Sequence, residues 1–98
     1  MSASNSLLLS QTGPLNVNAD EAAAALAVGL GAERLLFLTD VPGVFHAGEL
    51  LETIEAGDAE ALIGDGSFEG GIVPKLVAAV RAARGGLVAE IGATAVVA

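Results

Sequence analysis

The sequence has no cysteine, no tryptophan and no tyrosine, and only four Lys or Arg side chains. Without Cys, disulfides and thiolate chemistry are excluded, and redox compartment leaves no mark on the chain. The cations Arg34, Lys75, Arg81 and Arg84 face twelve Asp or Glu, a formal net charge of −8. A nucleic-acid-binding face needs clustered cations to displace counterions, and four scattered ones do not make it. An anionic membrane surface is disfavoured for the same reason. The aromatics are limited to Phe37, Phe45 and Phe68, so a core must be built from Ala, Leu and Val. No charged side chain precedes Asp20, which leaves the start of the chain without the basic segment of a secretory signal. The longest apolar stretch, 22–38, is broken by Glu33 and Arg34 and does not read as a membrane span. The expectation is a soluble cytoplasmic protein with neither a nucleic-acid nor a membrane partner.

What is present is 98 residues, 53% hydrophobic, with thirteen glycines. That is one domain, 1–98, able to bury about 60–70% of its unfolded surface. Residues 1–13 read as a loose lead-in with one short strand at 7–9. A helix over 19–30 follows, with Asn18 as its cap, Glu21 as capping-box partner and Gly31 as its stop. The continuous apolar run 35–38 predicts a strand covered on both faces in a parallel sheet. The segment 40–48 is a Pro- and Gly-punctuated loop. Residues 49–63 contain a short helix starting near Asp58 and stopping at Gly64, its acidic residues forming a solvated face. A second glycine-rich loop, 64–71, leads into the clearest helix, 72–84, with Val73, Leu76, Val77 and Val80 as its buried stripe. Arg81 and Arg84 complement its C-terminal dipole, and Gly85-Gly86 ends it. Two short strands, 87–91 and 94–97, finish the chain. Helix, buried strand and glycine loop in succession indicate an α/β fold, in which ligands gather beyond the carboxyl ends of strands.

Local chemistry singles out few residues. Lys75 lies opposite the Val73/Val80 stripe, one turn inside a helix preceded by Gly70-Gly71. Free backbone N–H groups, a positive dipole end and a nearby ammonium suit a phosphate, while a solvated surface lysine is the plain alternative. No Walker A loop and no dinucleotide fingerprint occurs. Asp40 fits a hydrogen-bonding group, a metal ligand or a turn initiator before Pro42-Gly43. His46 reads as an exposed loop residue. Asn18 and Glu21 are explained by capping; Asn16 and Asp20, at alternate positions beside them, are not.

The segments "NVNADEAAAALAVGLGAERLLFLTDVPGV" and "LIGDGSFEGGIVPK" together resemble the C-terminal, nucleotide-binding half of acetylglutamate kinases, a branch of the amino-acid kinase family. The resemblance spans about 14–86. It implies a three-layer α/β sandwich fragment with a mainly parallel sheet. It implies substrate contacts at Asn16 and Asn18, and an aspartate, Asp20, that organises catalytic lysines. Lys75 then stabilises charge on the phosphoryl group passing from ATP to the side-chain carboxylate of N-acetyl-L-glutamate, in arginine biosynthesis. Thr39, Asp40, Gly43, Val44, Phe45, Ser67, Phe68, Glu69 and Gly71 are implied in the ATP site, with Mg2+ accompanying the nucleotide and no protein metal ligand assigned. Phosphoryl transfer rests on positioning and electrostatics, which a fixed lysine and its aspartate supply.

Two departures accompany the resemblance. The family's N-terminal half, with its glycine-rich loop, its other catalytic lysine and much of the acyl-glutamate pocket, has no counterpart here. After Gly86 the family continues through strand, helix and strand, whereas 87–98 compresses the two strands without the helix. The chain therefore resembles an ATP-binding half-enzyme, inactive alone and engaging N-acetyl-L-glutamate only when the missing half is supplied. The alternative is a non-catalytic scaffold or assembly module with remnant site residues. Self-association is expected through 7–9 and 87–97.

Overall fold

The computed structural model describes residues 6–10, 17–68 and 70–98, and for 6–10, 17 and 18 the main chain alone. In chain order the elements are β1 (Ser6–Ser10), α1 (Val17–Leu30), β2 (Arg34–Leu38), β3 (Phe45–His46), β4 (Glu49–Leu50), β5 (Thr53–Glu55), α2 (Ala56–Gly64), α3 (Ile72–Arg84), β6 (Val88–Ile91) and β7 (Thr94–Val97). Five strands form one sheet in the order β1-β2-β6-β7-β5, and β3 and β4 form a separate small hairpin. The β6–β7 pairing is antiparallel and the other three in the large sheet are parallel. The α/β class and the mainly parallel sheet are those expected from the sequence.

Register determines which side of the sheet is packed. Leu35 pairs with Ala89, Ala89 with Val96, and Val96 with Ile54; Phe37 pairs with Ile91, and Ile91 with Thr94. Directly paired residues share a face, and all seven are buried. Helix α3 covers this face across β2, β6 and β7, with α1 and α2 on its flanks. The opposite face carries Leu36, Leu38, Val88, Glu90, Ala95 and Val97, none of them buried. The apolar run at 35–38 is thus not covered on both faces: Leu35 and Phe37 enter the core, and Leu38 is exposed. The described residues supply the sheet and one helical layer of the sandwich.

Helix α3 corrects a second expectation. Its buried residues are Leu76, Ala78, Ala79, Val80, Ala82 and Ala83, while Val77 is exposed and Val73 half-buried. A helix wedged between a sheet and two other helices buries a broad arc, and alanine lets the backbones approach. Helix α1 answers with Ala24 and Ala27, both buried, and near its end Val28 leaves no space for a side chain at Gly85.

Residues 49–63 differ more from expectation. The acidic stretch is not one solvated helix face: it supplies β4 and β5 before α2 begins at Ala56, ahead of Asp58. Helix α1 begins at Val17, which puts Asn18 inside the helix rather than at its cap, and Glu21 accepts from Arg81 of α3 at 3.2 Å. The strand foreseen at 7–9 is β1, and 87–91 and 94–97 become β6 and β7. All three helices end alike. After α1, Ala32 N–H donates to Ala27 C=O and Gly31 N–H to Val28 C=O. Ser67 and Gly66 after α2, and Leu87 and Gly86 after α3, repeat the pattern. The positive φ of the glycine in each turn makes this closing motif possible.

Candidate functional site at the carboxyl edge of the sheet

Strands β1, β2 and β6 run parallel. A helix that leads back into a parallel strand ends where that strand begins, so its own start lies at the carboxyl end of the strands. The first turns of α1 and α3 therefore lie at the same edge as the loop 39–44 after β2 and the turn 92–93 after β6. This is the edge at which an open α/β sheet collects ligands.

Asp20 and Lys75 meet there. Asp20 continues the buried stripe of α1, one turn before Ala24, and is 2% exposed. Lys75 reaches it from the first turn of α3, with Nζ 3.8 Å from Oδ2 and its side chain 17% exposed. That distance describes an ion pair rather than a hydrogen bond. The second carboxylate oxygen, Oδ1, is buried without a hydrogen-bond partner among the described residues. Burial pushes the Asp20 carboxyl above its ordinary value, the Lys75 ammonium draws it back down, and Glu21 adds a smaller push upward. Lys75 is accordingly not a solvated surface lysine.

The start of α3 presents donors to this space. Gly71 precedes its first residue, no side chain among the described residues caps it, and no acidic residue lies in its first turn. Its positive end is therefore left to Lys75 and to the backbone amides. The preceding loop is held by Asp65, whose Oδ1 accepts from both the N–H and the hydroxyl of Ser67. Phe68 is buried, and its ring meets His46 edge-on with centroids 6.3 Å apart. The loops 39–51 and 65–68 are thus in contact.

The loop after β2 is anchored to β7. The fully buried Thr94 hydroxyl accepts from Val44 N–H at 2.9 Å and donates to Leu51 C=O at 2.6 Å. Leu51 N–H donates to Val44 C=O, and Ala93 N–H to Pro42 C=O. Gly43 and Val44 are buried, Thr39 is half-buried, and Asp40 and Phe45 are exposed. Thr39 Oγ1 accepts from Val41 N–H at 3.4 Å. Asn16 and Glu69 lie outside the described residues, as does the side chain of Asn18.

One feature escapes a reading by motif. Thr94 was legible as the one hydroxyl among the apolar residues of its strand. An apolar groove of about 320 Å³ between α2 and α3, lined by Glu60, Ile63, Gly64, Val77 and Val80, has Glu60 as its sole ionisable residue. Arg84 already pairs with it. Among the described residues no three His, Cys, Asp or Glu side chains gather to hold a metal, and no helix is long and apolar enough to cross a membrane.

The amino acid kinase family model matches residues 5–92, and the chain belongs to that family. It is 49% identical over 83 residues to acetylglutamate kinase of Rubrobacter xylanophilus, covering 85% of this chain and 33% of the relative. It is 47% identical over 75 residues to acetylglutamate kinase of Roseiflexus castenholzii, covering 76% of this chain and 29% of the relative. Among solved structures, carbamate kinase from Giardia lamblia bound to citric acid superposes with a TM-score of 0.73 at 27% identity, over 80% of this chain and 30% of that one. The chain thus spans about a third of the length of these curated relatives.

Proposed function

We propose that the chain is the ATP-binding part of an acetylglutamate kinase, acting in the phosphorylation of the side-chain carboxylate of N-acetyl-L-glutamate in arginine biosynthesis. The observation that carries this reading is the half-buried Lys75 beside a buried Asp20 whose Oδ1 has no partner among the described residues. A buried polar oxygen without a partner costs about 1–3 kcal/mol, a cost retained where the group serves a site. The orphan oxygen fits a second cation, such as the lysine of the family's other half.

The residues also fit a nucleotide. A glycine-flanked helix start without an acidic first turn suits a phosphate chain, and Lys75 adds a positive charge within reach of the same space. Gly43, Val44 and Phe45 from one loop and Phe68 and Gly71 from the other would hold the nucleotide, with Thr39, Asp40, Ser67 and Glu69 beside them. Bound ATP supplies the transferable phosphoryl group, and Mg2+ travels with its phosphates. What this chain contributes is a fixed ammonium, oriented by Asp20, where negative charge accumulates.

Titration with Mg-ATP, followed through the amide signals of Gly70, Gly71 and Lys75, tests this reading. Shifts confined to the carboxyl edge support it; none at millimolar nucleotide would favour a non-catalytic scaffold. The chain alone is expected to show no acetylglutamate-dependent ADP release above a Lys75→Ala control. Missing transition-state donors cost about 10²–10³ in rate each.

Self-association belongs to the same proposal, with altered contacts. The tail is not an open edge, because β6 lies between β2 and β7, and β7 between β6 and β5. The free edges are β1 and β5, and Leu26 and Leu30 stand exposed on α1. A dimer or larger species is expected, strengthening with salt as the net charge of −8 is screened. Sedimentation showing a monomer across wide ranges of concentration and salt would refute this.

A further inference from the structure

We infer that Thr94 is a positioning residue for the nucleotide loop, its hydroxyl holding the segment 42–51 in the shape that receives ATP. This rests on the reading of the carboxyl edge as a nucleotide site. The hydroxyl bonds both ends of the excursion that contains the β3–β4 hairpin: it accepts from Val44 N–H at 2.9 Å where the loop leaves β2, and donates to Leu51 C=O at 2.6 Å where the chain returns. Its proton and one of its two lone pairs are therefore committed. Leu51 N–H closes the ring on Val44 C=O at 2.8 Å, and Ala93 N–H adds a bond to Pro42 C=O at 2.7 Å.

The spacing leaves no slack. A Cβ at Gly43 would meet Thr94 Oγ1 at 2.7 Å, and one at Gly92, where φ is +58°, would run into Pro42 C=O. The loop backbone thus lies directly on the β6–β7 turn. The amides beyond the clamp point where the clamp sets them, so an oxygen buried in the sheet determines how Gly43, Val44 and Phe45 face the edge. A hydrophobic residue of the same shape at 94 would strand Val44 N–H and Leu51 C=O in a dry interior, and the loop would lift to hydrate them.

The test compares the full chain with Thr94→Val, Thr94→Ser and Gly92→Ala, by amide hydrogen exchange and by Mg-ATP titration. Thr94→Val should speed exchange at Val44 and Leu51 about tenfold or more beyond any change at the α3 core amides, and weaken Mg-ATP binding by about tenfold, the scale of one lost bond to a buried group. Thr94→Ser, which keeps the hydroxyl, should restore both. Gly92→Ala displaces Pro42 without touching the hydroxyl and should weaken Mg-ATP comparably; should Thr94→Val fail to fold, unaltered affinity in Gly92→Ala would overturn the positioning role. Unchanged exchange at Val44, an equal rise throughout α3, or unaltered affinity in the face of faster exchange would each overturn the positioning role. If the unsubstituted chain binds no Mg-ATP, the nucleotide reading falls and the positioning role with it. Faster exchange at Val44 and Leu51 in Thr94→Val would still register the clamp itself.

Discussion

Lys75 and Leu76 are neighbours on α3 that belong to different regions of the molecule. Leu76 is fully buried and belongs to the hydrophobic core. Lys75, one residue earlier, turns to the carboxyl edge, where it meets a carboxylate that burial disfavours and that has, among the described residues, no partner for one oxygen. One helix thus serves packing along most of its length and electrostatics at its first turn. The difference teaches that the polar edge is supported by the apolar interface and contributes little stability in return.

Substitutions at the two regions should separate these roles. The largest effect is expected from Leu76→Ala, which removes a fully buried side chain and should destabilise the chain by about 2–5 kcal/mol in urea unfolding. A loss below about 1 kcal/mol would mean that the interface repacks freely. Next comes Lys75→Ala, which should weaken Mg-ATP binding about tenfold or more while moving the unfolding midpoint far less than Leu76→Ala. Equal damage to folding and binding would erase the distinction between the regions.

Asp20→Asn sharpens the comparison through pH. The folded carboxyl holds its proton above the ordinary value of 3.8, chiefly because of burial. The native state then binds more protons than the unfolded chain just above that value, so stability falls as pH rises from about 3.8 through the folded pKa. The asparagine variant should lose that fall and be no less stable than the parent at neutral pH, while binding Mg-ATP less well. A steeper acid-side fall in the variant would reverse the sign. The smallest effect is expected from Arg84→Ala, whose ion pair with Glu60 is about half exposed on both sides. It should shift stability by about 0–1 kcal/mol, and less at high salt.

Much of this division was legible in the sequence. The glycine and charge signals around 72–84 delimit α3, and the resemblance, through two separate segments, implied an aspartate at 20 that organises lysines; the structure brings Asp20 and Lys75, 55 positions apart, into an ion pair. What local pattern missed follows from context. Val77 satisfies the helical repeat, but on a helix flanked on two sides the alanines at 78, 79, 82 and 83 fill the contact instead. Strands β3, β4 and β5 are two or three residues long and carry Glu49 and Glu55, so neither length nor alternation distinguished them from a helix face. The roles implied for Asn16 and Glu69 concern positions outside the described residues.

The sheet order has a consequence for how the chain acquires its structure. Strand β5 pairs within the sheet only with β7, and β2 gains its second neighbour only with β6. Strands β6 and β7 are thus the middle of the sheet although they follow β1, β2 and β5 in sequence, and β5 cannot join β2 until residues 88–97 are in place. Pairings so distant in sequence close slowly and cooperatively. Until then the inner edges of β2 and β5 stay open, and removing β7 would split the sheet rather than trim it.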